Sequence, residues 1–505
     1  MFTRQGRGKT PAVQVVVCLL VVFLSINLLT VSMASGDDAM VDNHIGSAGD
    51  SRKPTHEEKL LPYHSLHDSL RNRLEEERRN PRSRDEYLRY NTQRKDKKAG
   101  LENPRYPTSE EEVVGNGVDG AHTETGTWAI EAVDAPKAFP YNTPRIIAVD
   151  AGNHPHFVYG GNHLYYAYHD GSSWHYETAD ASFDVGANAS LALDALGHAH
   201  ISYQDNYNRD LKYATNVSGS WVTTTVDSYG WVGFTSSIVI DASGHAHISY
   251  RDESEFNTKD ALKYATNVSG SWETFTVDSV YAPSESSIAV DSSGHAHISY
   301  SDGNLGLRYA TNVSGSWITT TVDSGRGMGD YHSIAVDASG HAYISYLGGT
   351  NYDLIYATNV SGLWVTTTVD SEGDVGAPNS LALDASGNVH ISYGSSGDNF
   401  SIKYATNVSG SWAITTVNSN ENLFGFISLA LDTTGHAHIG YWEETNGELK
   451  YATNISGLWI TTAVDKSRWD GGYTSLALDA SGYAHISYQR SSYTNSDLMY
   501  ITNVS

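Results

Sequence analysis

Residues 287–309 read SIAVDSSGHAHISYSDGNLGLRY, and residues 310–323 continue ATNVSGSWITTTVD. Four short strands are legible in this unit. The first, SIAVD, runs into a tight SSG turn, where Asp291 bonds the backbone and Gly294 accepts a positive φ. The second, HAHISY, alternates strictly, with His295, His297 and Ser299 on one face and Ala296, Ile298 and Tyr300 on the other. A polar loop leads to the third strand, LRYAT, and the turn NVSG leads to the fourth, SWITTTVD. The unit recurs along the chain. Its anchor Asp falls at Asp150, Asp194, Asp241, Asp291, Asp337, Asp384, Asp432 and Asp479, with gaps of 44, 47, 50, 46, 47, 48 and 47 residues. A period of this length belongs to propellers or solenoids, and four antiparallel strands per unit select the propeller.

The tryptophan that opens the fourth strand appears at Trp128, Trp174, Trp221, Trp272, Trp317, Trp364, Trp412 and Trp459. The first of these stands ahead of any first strand, in GTWAIEAVD (126–134), while the eighth unit reaches Ser505 short of a GSW strand of its own. The pattern predicts an all-β, eight-bladed β-propeller of four-stranded antiparallel blades over residues 121–505. Strand 126–134 completes the C-terminal blade and leaves no unpaired edge within the ring.

The recurring V-D-x-x-G-x-x-x-I-S-Y hairpin resembles the first hairpin of secreted NHL-type and sialidase-like (BNR, Asp-box) propeller blades, over residues 126–505. The spacing departs from a true Asp-box, because Asp and Gly stand one residue further apart and no Trp follows. The run D-x-x-G-H-x-H-I-S-Y also resembles BNR-like propellers that include polysaccharide lyases, and that resemblance implies His and Tyr as base and acid.

Charge is unevenly divided. Residues 1–120 carry 18 Lys+Arg and 18 Asp+Glu, so the whole net charge of −26 belongs to residues 121–505. So acidic a domain repels phosphate backbones and anionic lipid, which excludes nucleic acid and membrane surfaces as its partners. The single cysteine, Cys18, lies in an N-terminal apolar run, so the propeller must be held by packing and strand pairing alone. Arg4, Arg7 and Lys9 precede that run (12–31), and Ser32-Met33-Ala34 follows, as in a secretory signal cleaved after residue 34 or, uncleaved, an anchor. Residues 35–120 read as a polar, mixed-charge spacer with one amphipathic helix on Leu66, Leu70 and Leu74.

The second His of the HAHISY strand recurs at His156, His200, His247, His297, His390, His438 and His485, with Tyr343 in the fifth unit. A His-x-His face is able to bind metal. The pair recurs in near-identical surroundings, however, and Asn388 or Tyr483 replaces one member without breaking the pattern. The economical reading is a buried, hydrogen-bonded spacer, with no metal and no cofactor. Catalysis requires an acid, a base and a charge stabiliser in distinct roles, whereas like blades supply like environments. The most individual unit is the first, where LYYAYHDGSSW replaces LKYATNVSGSW. If a lyase-type site exists, its candidates are His154, His156, Tyr165 and His169.

Sequons stand at Asn188, Asn216, Asn267, Asn312, Asn359, Asn399, Asn407, Asn454 and Asn503. Seven of them occupy the turn between third and fourth strands, where N-x-S-G is also good turn chemistry; in a glycosylating host the sugars would ring one surface. The loops between second and third strands differ most from unit to unit, and they bring the candidate binding residues Tyr207, Phe256, Tyr352 and Trp442. Aromatics beside carboxylates and amides suit sugar or protein contacts. The expected function is therefore extracellular recognition or surface structure without catalysis, with a glycan or extracellular protein as partner. Two alternatives remain: a filament subunit that self-associates by exchanging strand 126–134, and a polysaccharide lyase or hydrolase using the first blade.

Overall fold

The computed structural model describes residues 128–134, 146–253, 260–279, 283–302, 306–325, 329–395, 400–419, 423–467, 473–491 and 496–504. The signal or anchor segment, the spacer with its helix, Phe256 and Asn399 lie outside the described residues. Eight four-stranded sheets follow one another, all with antiparallel neighbours, so the eight-bladed propeller is as the repeat predicts.

Blade two shows the plan: Val185–Leu193, Ala199–Asp205, Asp210–Thr215 and Val222–Asp227 pair in chain order. The first strands of successive blades lie against each other around the axis. Their serines join them. Ser190 Oγ accepts the Ile238 N–H at 3.4 Å, Ser333 that of Leu381 at 3.3 Å, and Ser428 that of Leu476 at 3.1 Å. The eighth sheet departs from chain order. Ser475–Leu478, Ala484–Ser491 and Ser496–Thr502 are followed by Ala129–Asp134, which runs antiparallel to Ser496–Thr502 with Ala129 opposite Thr502.

One aromatic contact recurs at each of the eight blade-to-blade interfaces. The tyrosine of a third strand receives, edge-on, the tryptophan at the head of the next blade's fourth strand. Centroids are 5.0 Å apart for Tyr166–Trp221, 4.8 Å for Tyr213–Trp272, Tyr264–Trp317 likewise, and 4.9 Å for Tyr309–Trp364. Tyr356–Trp412 and Tyr404–Trp459 continue the series at 5.2 and 5.0 Å. It ends with Tyr451–Trp128 at 4.9 Å and Tyr500–Trp174 at 5.3 Å. Aromatic edges on faces add to the area they bury.

The fourth strand is not the uniform TTTVD alternation its sequence suggests. Leu211 pairs with Asp227 and Lys212 with Thr225, which leaves Val226 as an extra residue in a bulge. The bulge lets two successive residues turn inward. Val226 enters the core, and Asp227 reaches the next blade, where it accepts from the Tyr250 hydroxyl at 2.7 Å and the Lys263 ammonium at 2.5 Å. The same geometry gives Asp180 with Tyr203 and Lys212, Asp278 with Tyr300 and Arg308, and Asp370 with Tyr393 and Lys403. Burial works to raise the Asp180 carboxyl, but its hydrogen bonds from Lys212, Ser182 and Tyr203 outweigh it and hold the group at about 2.

Candidate functional site

The anchor aspartates organise one end of the blades. In blade three, Asp241 Oδ1 accepts the backbone N–H groups of Ser243 and His245 at 2.8 Å, which closes the turn that Gly244 completes at φ 85°. The other oxygen faces two imidazoles, with His245 Nδ1 at 3.1 Å and His247 Nε2 at 3.4 Å. His247 Nδ1 lies 2.6 Å from the Tyr264 hydroxyl. A carboxylate only accepts, so the nitrogen facing it carries the proton, and the phenol donates to Nδ1.

The His–Tyr half of this arrangement recurs, with Nδ1 of His200, His297 and His438 at 2.5, 2.6 and 2.5 Å from the hydroxyls of Tyr213, Tyr309 and Tyr451, while their Nε2 atoms stand 3.7, 3.6 and 3.7 Å from Asp194, Asp291 and Asp432, beyond hydrogen-bond distance. In blades five and six, where the sequence departs, a donor to the same carboxylate stands in. The Tyr343 hydroxyl reaches Asp337 at 3.1 Å in blade five, and the Asn388 amide reaches Asp384 at 2.8 Å in blade six. Burial lowers the pKa of His200, His247, His297 and His438, and pushes the phenols of Tyr264 and Tyr309 up to about 12. The recurring histidines are therefore buried spacers bonded to tyrosine hydroxyls, and burial disfavours their charged form. Among the described residues no cluster of three or more His, Cys, Asp or Glu is arranged to hold a metal ion.

Blade one does not assemble its four candidates around one centre. His154 and His156 share Asp150 Oδ2, at 3.2 and 3.4 Å, and His156 Nδ1 also meets the Tyr166 hydroxyl. Tyr165 pairs across the strands with Tyr159, three residues along from the His156–Tyr168 pair. It stands on the opposite face about 10 Å away, buried and stacked on Tyr159 at 5.5 Å. His169 turns to Trp174 at 5.2 Å, and its Nδ1 accepts the Gly171 N–H.

What blade one does assemble went unread in the sequence. His156, Tyr168 and His175 stack in a column, with centroids 5.7 and 4.8 Å apart and both pairs inclined by 15°. His175 Nε2 lies 2.6 Å from Asp170 Oδ2, and this bond holds the Asp170 carboxyl well below its usual range. Ser173 Oγ approaches the same Nε2 at 3.5 Å. A Ser–His–Asp relay uses both ring nitrogens, so this arrangement passes no proton from serine to aspartate.

The loops at the other end of the blades carry the binding candidates. Tyr207 is 71% exposed, and Tyr352 is exposed with φ 55°. Trp442 is a correction: it lies in the strand Ala437–Glu443, is 4% exposed, and packs in a core with Leu449 and Val464. As in blades two, three and four, the second strand runs two residues beyond its tyrosine, so Trp442 pairs with Leu449 and is drawn inside, and Glu443 accepts Asn446 N–H at 3.0 Å in the turn that follows. Asn188 is a second correction. Its Nδ2 donates to Gln204 Oε1 at 2.9 Å, and Ser190 of its sequon is buried against the next blade, so a glycan has no place there. The turn asparagines also support the fold, since Asn216 and Asn267 Oδ1 each accept a second-strand N–H at 2.8 Å.

The loops that join blades also carry exposed aromatics. Phe183 is 70% exposed and meets the Tyr207 ring edge-on at 6.2 Å, and Tyr229 is 83% exposed. The Arg209 guanidinium lies over the Trp231 ring at 4.7 Å. Backbone bonds tie these loops together. Asn206 N–H donates to Asp184 O at 3.0 Å, Val232 N–H to Arg209 O at 3.1 Å, and Glu253 N–H to Trp231 O at 2.8 Å.

No family model matches the sequence, and no curated protein does either. Among solved structures, the chain is similar to the WD40 domain of SCAP from fission yeast, at 10% identity over 75% of this chain and 98% of that one, with a TM-score of 0.45. It is also similar to an ulvan lyase of a polysaccharide lyase family, at 13% identity over 61% and 90% of the two chains, with a TM-score of 0.41. A third is the Aleuria aurantia lectin in complex with a fucosyl-N-acetylglucosamine, at 13% identity over 55% and 94%, with a TM-score of 0.35.

Proposed function

We propose that this is an exported, non-catalytic recognition propeller, presented outside the cell on its N-terminal spacer. One observation carries the reading. The recurring histidines are buried beside the anchor aspartates and held by tyrosine hydroxyls at one end of the blades, while loop aromatics at the other end are left bare. A rigid scaffold with unlike loops is the usual platform for binding. The N-terminal basic residues and apolar run support export.

The test is turnover. The secreted chain is incubated with neutral and acidic polysaccharides while reducing ends and the ultraviolet absorbance of new double bonds are followed. The expected result is binding without product. Sustained product formation that disappears in His154→Ala or His156→Ala would overturn the proposal in favour of a lyase or hydrolase.

A further inference from the structure

A solvated protein surface leaves few large aromatic rings uncovered in one place. Here Phe183 and Tyr207 come from different loops, one joining blade one to blade two and the other joining the second and third strands of blade two. Their rings still meet at 6.2 Å with about 70% of each residue exposed. Holding two bare rings together in water has no folding benefit that their burial would explain.

The backbone under them is fixed. His163 Nδ1 lies 2.7 Å from Ser182 O, and Asp184 N–H donates to Asn162 O at 3.0 Å, so the Phe183 loop is tied to blade one. Asp184 O in turn accepts Asn206 N–H, and Asp205 Oδ1 accepts Asn208 N–H at 2.8 Å, which sets the turn that presents Tyr207. Arg209 O accepts Val232 N–H, which joins this turn to the loop of Tyr229. Three loops thus form one pre-ordered shelf, and little entropy remains to be lost when a ligand settles on it.

We infer that the Phe183–Tyr207 shelf binds a neutral glycan, with the apolar face of a pyranose ring laid on the aromatic rings and its hydroxyls bonded to the Asp184 carboxylate and to the side-chain oxygens of Asn206 and Asn208, whose Nδ2 groups donate to Asp184 at 3.4 Å and Asp205 at 2.9 Å. The inference rests on the recognition reading and names its site and ligand class. Charge selects neutral sugars. Residues 121–505 carry 40 acidic against 14 basic residues, and the cation next to the shelf, Arg209, is stacked on Trp231. Uronate or sulfate polymers would meet repulsion on approach.

The experiment is isothermal titration and saturation-transfer NMR of the secreted chain. The probes are oligomers of β-1,4-glucose, β-1,3-glucose, β-1,4-mannose and N-acetylglucosamine, with alginate and heparin as polyanions. At least one neutral oligomer is expected to bind. Phe183→Ala and Tyr207→Ala should each weaken it about tenfold, roughly the loss of 1.4 kcal/mol, at an unchanged melting temperature because both rings are exposed. Leu196→Ala, an exposed side chain in the turn at the opposite end of blade two, should leave affinity unaltered. Undiminished binding in the Phe183→Ala/Tyr207→Ala double variant overturns the site and leaves the recognition reading standing. Binding of polyanions alone overturns the ligand class, and silence across all probes overturns the inference. The recognition reading falls separately, on turnover.

Discussion

The indole of Trp128 meets the ring of Tyr451 edge-on at 4.9 Å, the separation found between Tyr309 and Trp364 deep within the array. The contact shows what Ala129–Asp134 is: the fourth strand of blade eight, contributed from the far end of the propeller and packed on blade seven as each other fourth strand packs on its neighbour. Glu131 repeats a second detail. It accepts the Trp174 indole N–H at 2.5 Å, as Glu177 accepts that of Trp221 at 2.6 Å.

Because Trp128 and Trp317 make the same contact, Trp128→Ala and Trp317→Ala should cost similar amounts, about 2–4 kcal/mol each for a large aromatic at a half-buried site. Urea unfolding of the two variants checks this. A negligible cost at Trp128 beside a large one at Trp317 would mean that the N-terminal strand is not held in the last blade in solution. Light scattering on the same samples separates pairing within one chain, which gives a single-chain mass, from exchange between chains, which gives a polymer lost on deletion of residues 126–134.

The buried Asp227 accepts from Tyr250 and Lys263 together. Removing the carboxylate leaves the Lys263 ammonium in the interior with only the more distant Asp252, at 3.7 Å, so Asp227→Ala should destabilise by about 3 kcal/mol. Lys263→Met should cost much less, about 1 kcal/mol or below. Blade eight already places Met499 at the equivalent position, and blade five Ile355, beside Asp–Tyr bonds of 2.6 Å. Asp227→Ala/Lys263→Met should recover most of the loss. Equal costs for the two single variants would show that the lysine is not what makes the carboxylate necessary.

Acid should loosen the propeller in two stages. Burial lowers the pKa of seven histidines, His156, His200, His247, His297, His390, His438 and His485, below the ordinary 6.5. The folded chain then binds fewer protons than the unfolded one as pH falls through 6.5, so stability is lost from there downward, while above that pH these groups are neutral in both states. Around His247 the facing groups are Asp241, His245 and Tyr264. The anchor carboxyls Asp194, Asp241 and Asp291 are held below 3.8, because bonds from the turn N–H groups and imidazoles outweigh burial. Their contribution persists above that value and is lost below it. Thermal melts between pH 8 and 3 should fall first below about 6.5. A melting temperature flat down to pH 4 would contradict neutral, buried imidazoles.

The blade count, the strand order and the hydrogen-bonding role of the histidines were legible because each is written many times over. Eight copies of an Asp–Gly turn and of a period-2 strand leave one consistent pairing. What was not legible lies where one residue changes its surroundings. Val226 and Asp227 both turn inward because of a bulge that the TTTVD string does not mark. Trp442 reads as a loop aromatic because the HIGY core stops short of it, but the strand continues, pairs it with Leu449 and buries it. Phe183 and Tyr207, 24 positions apart, meet only because a backbone bond joins Asp184 to Asn206. Tyr165 and the recurring His156 both belong to the most individual unit, but strand alternation puts them on opposite faces.

Asn188 and Asn216 offer a final test, since both stand in sequons but in unlike settings. Asn188 sits in an innermost strand at φ 52°, with its amide donated to Gln204 and its Ser190 bonded to the next blade. A glycan attached there before folding would block the approach of blades two and three, so folded, secreted protein should carry none. Asn216 precedes the exposed turn residues Val217 and Ser218, and the bond it supplies uses Oδ1, leaving its binding to a sugar through Nδ2 compatible with the turn. Expressed in a glycosylating host and digested for mass spectrometry, the protein should show occupancy at Asn216 and the equivalent turn asparagines and none at Asn188. Occupancy at Asn188 in folded material would mean that the first strand of blade two does not pack against blade three as described.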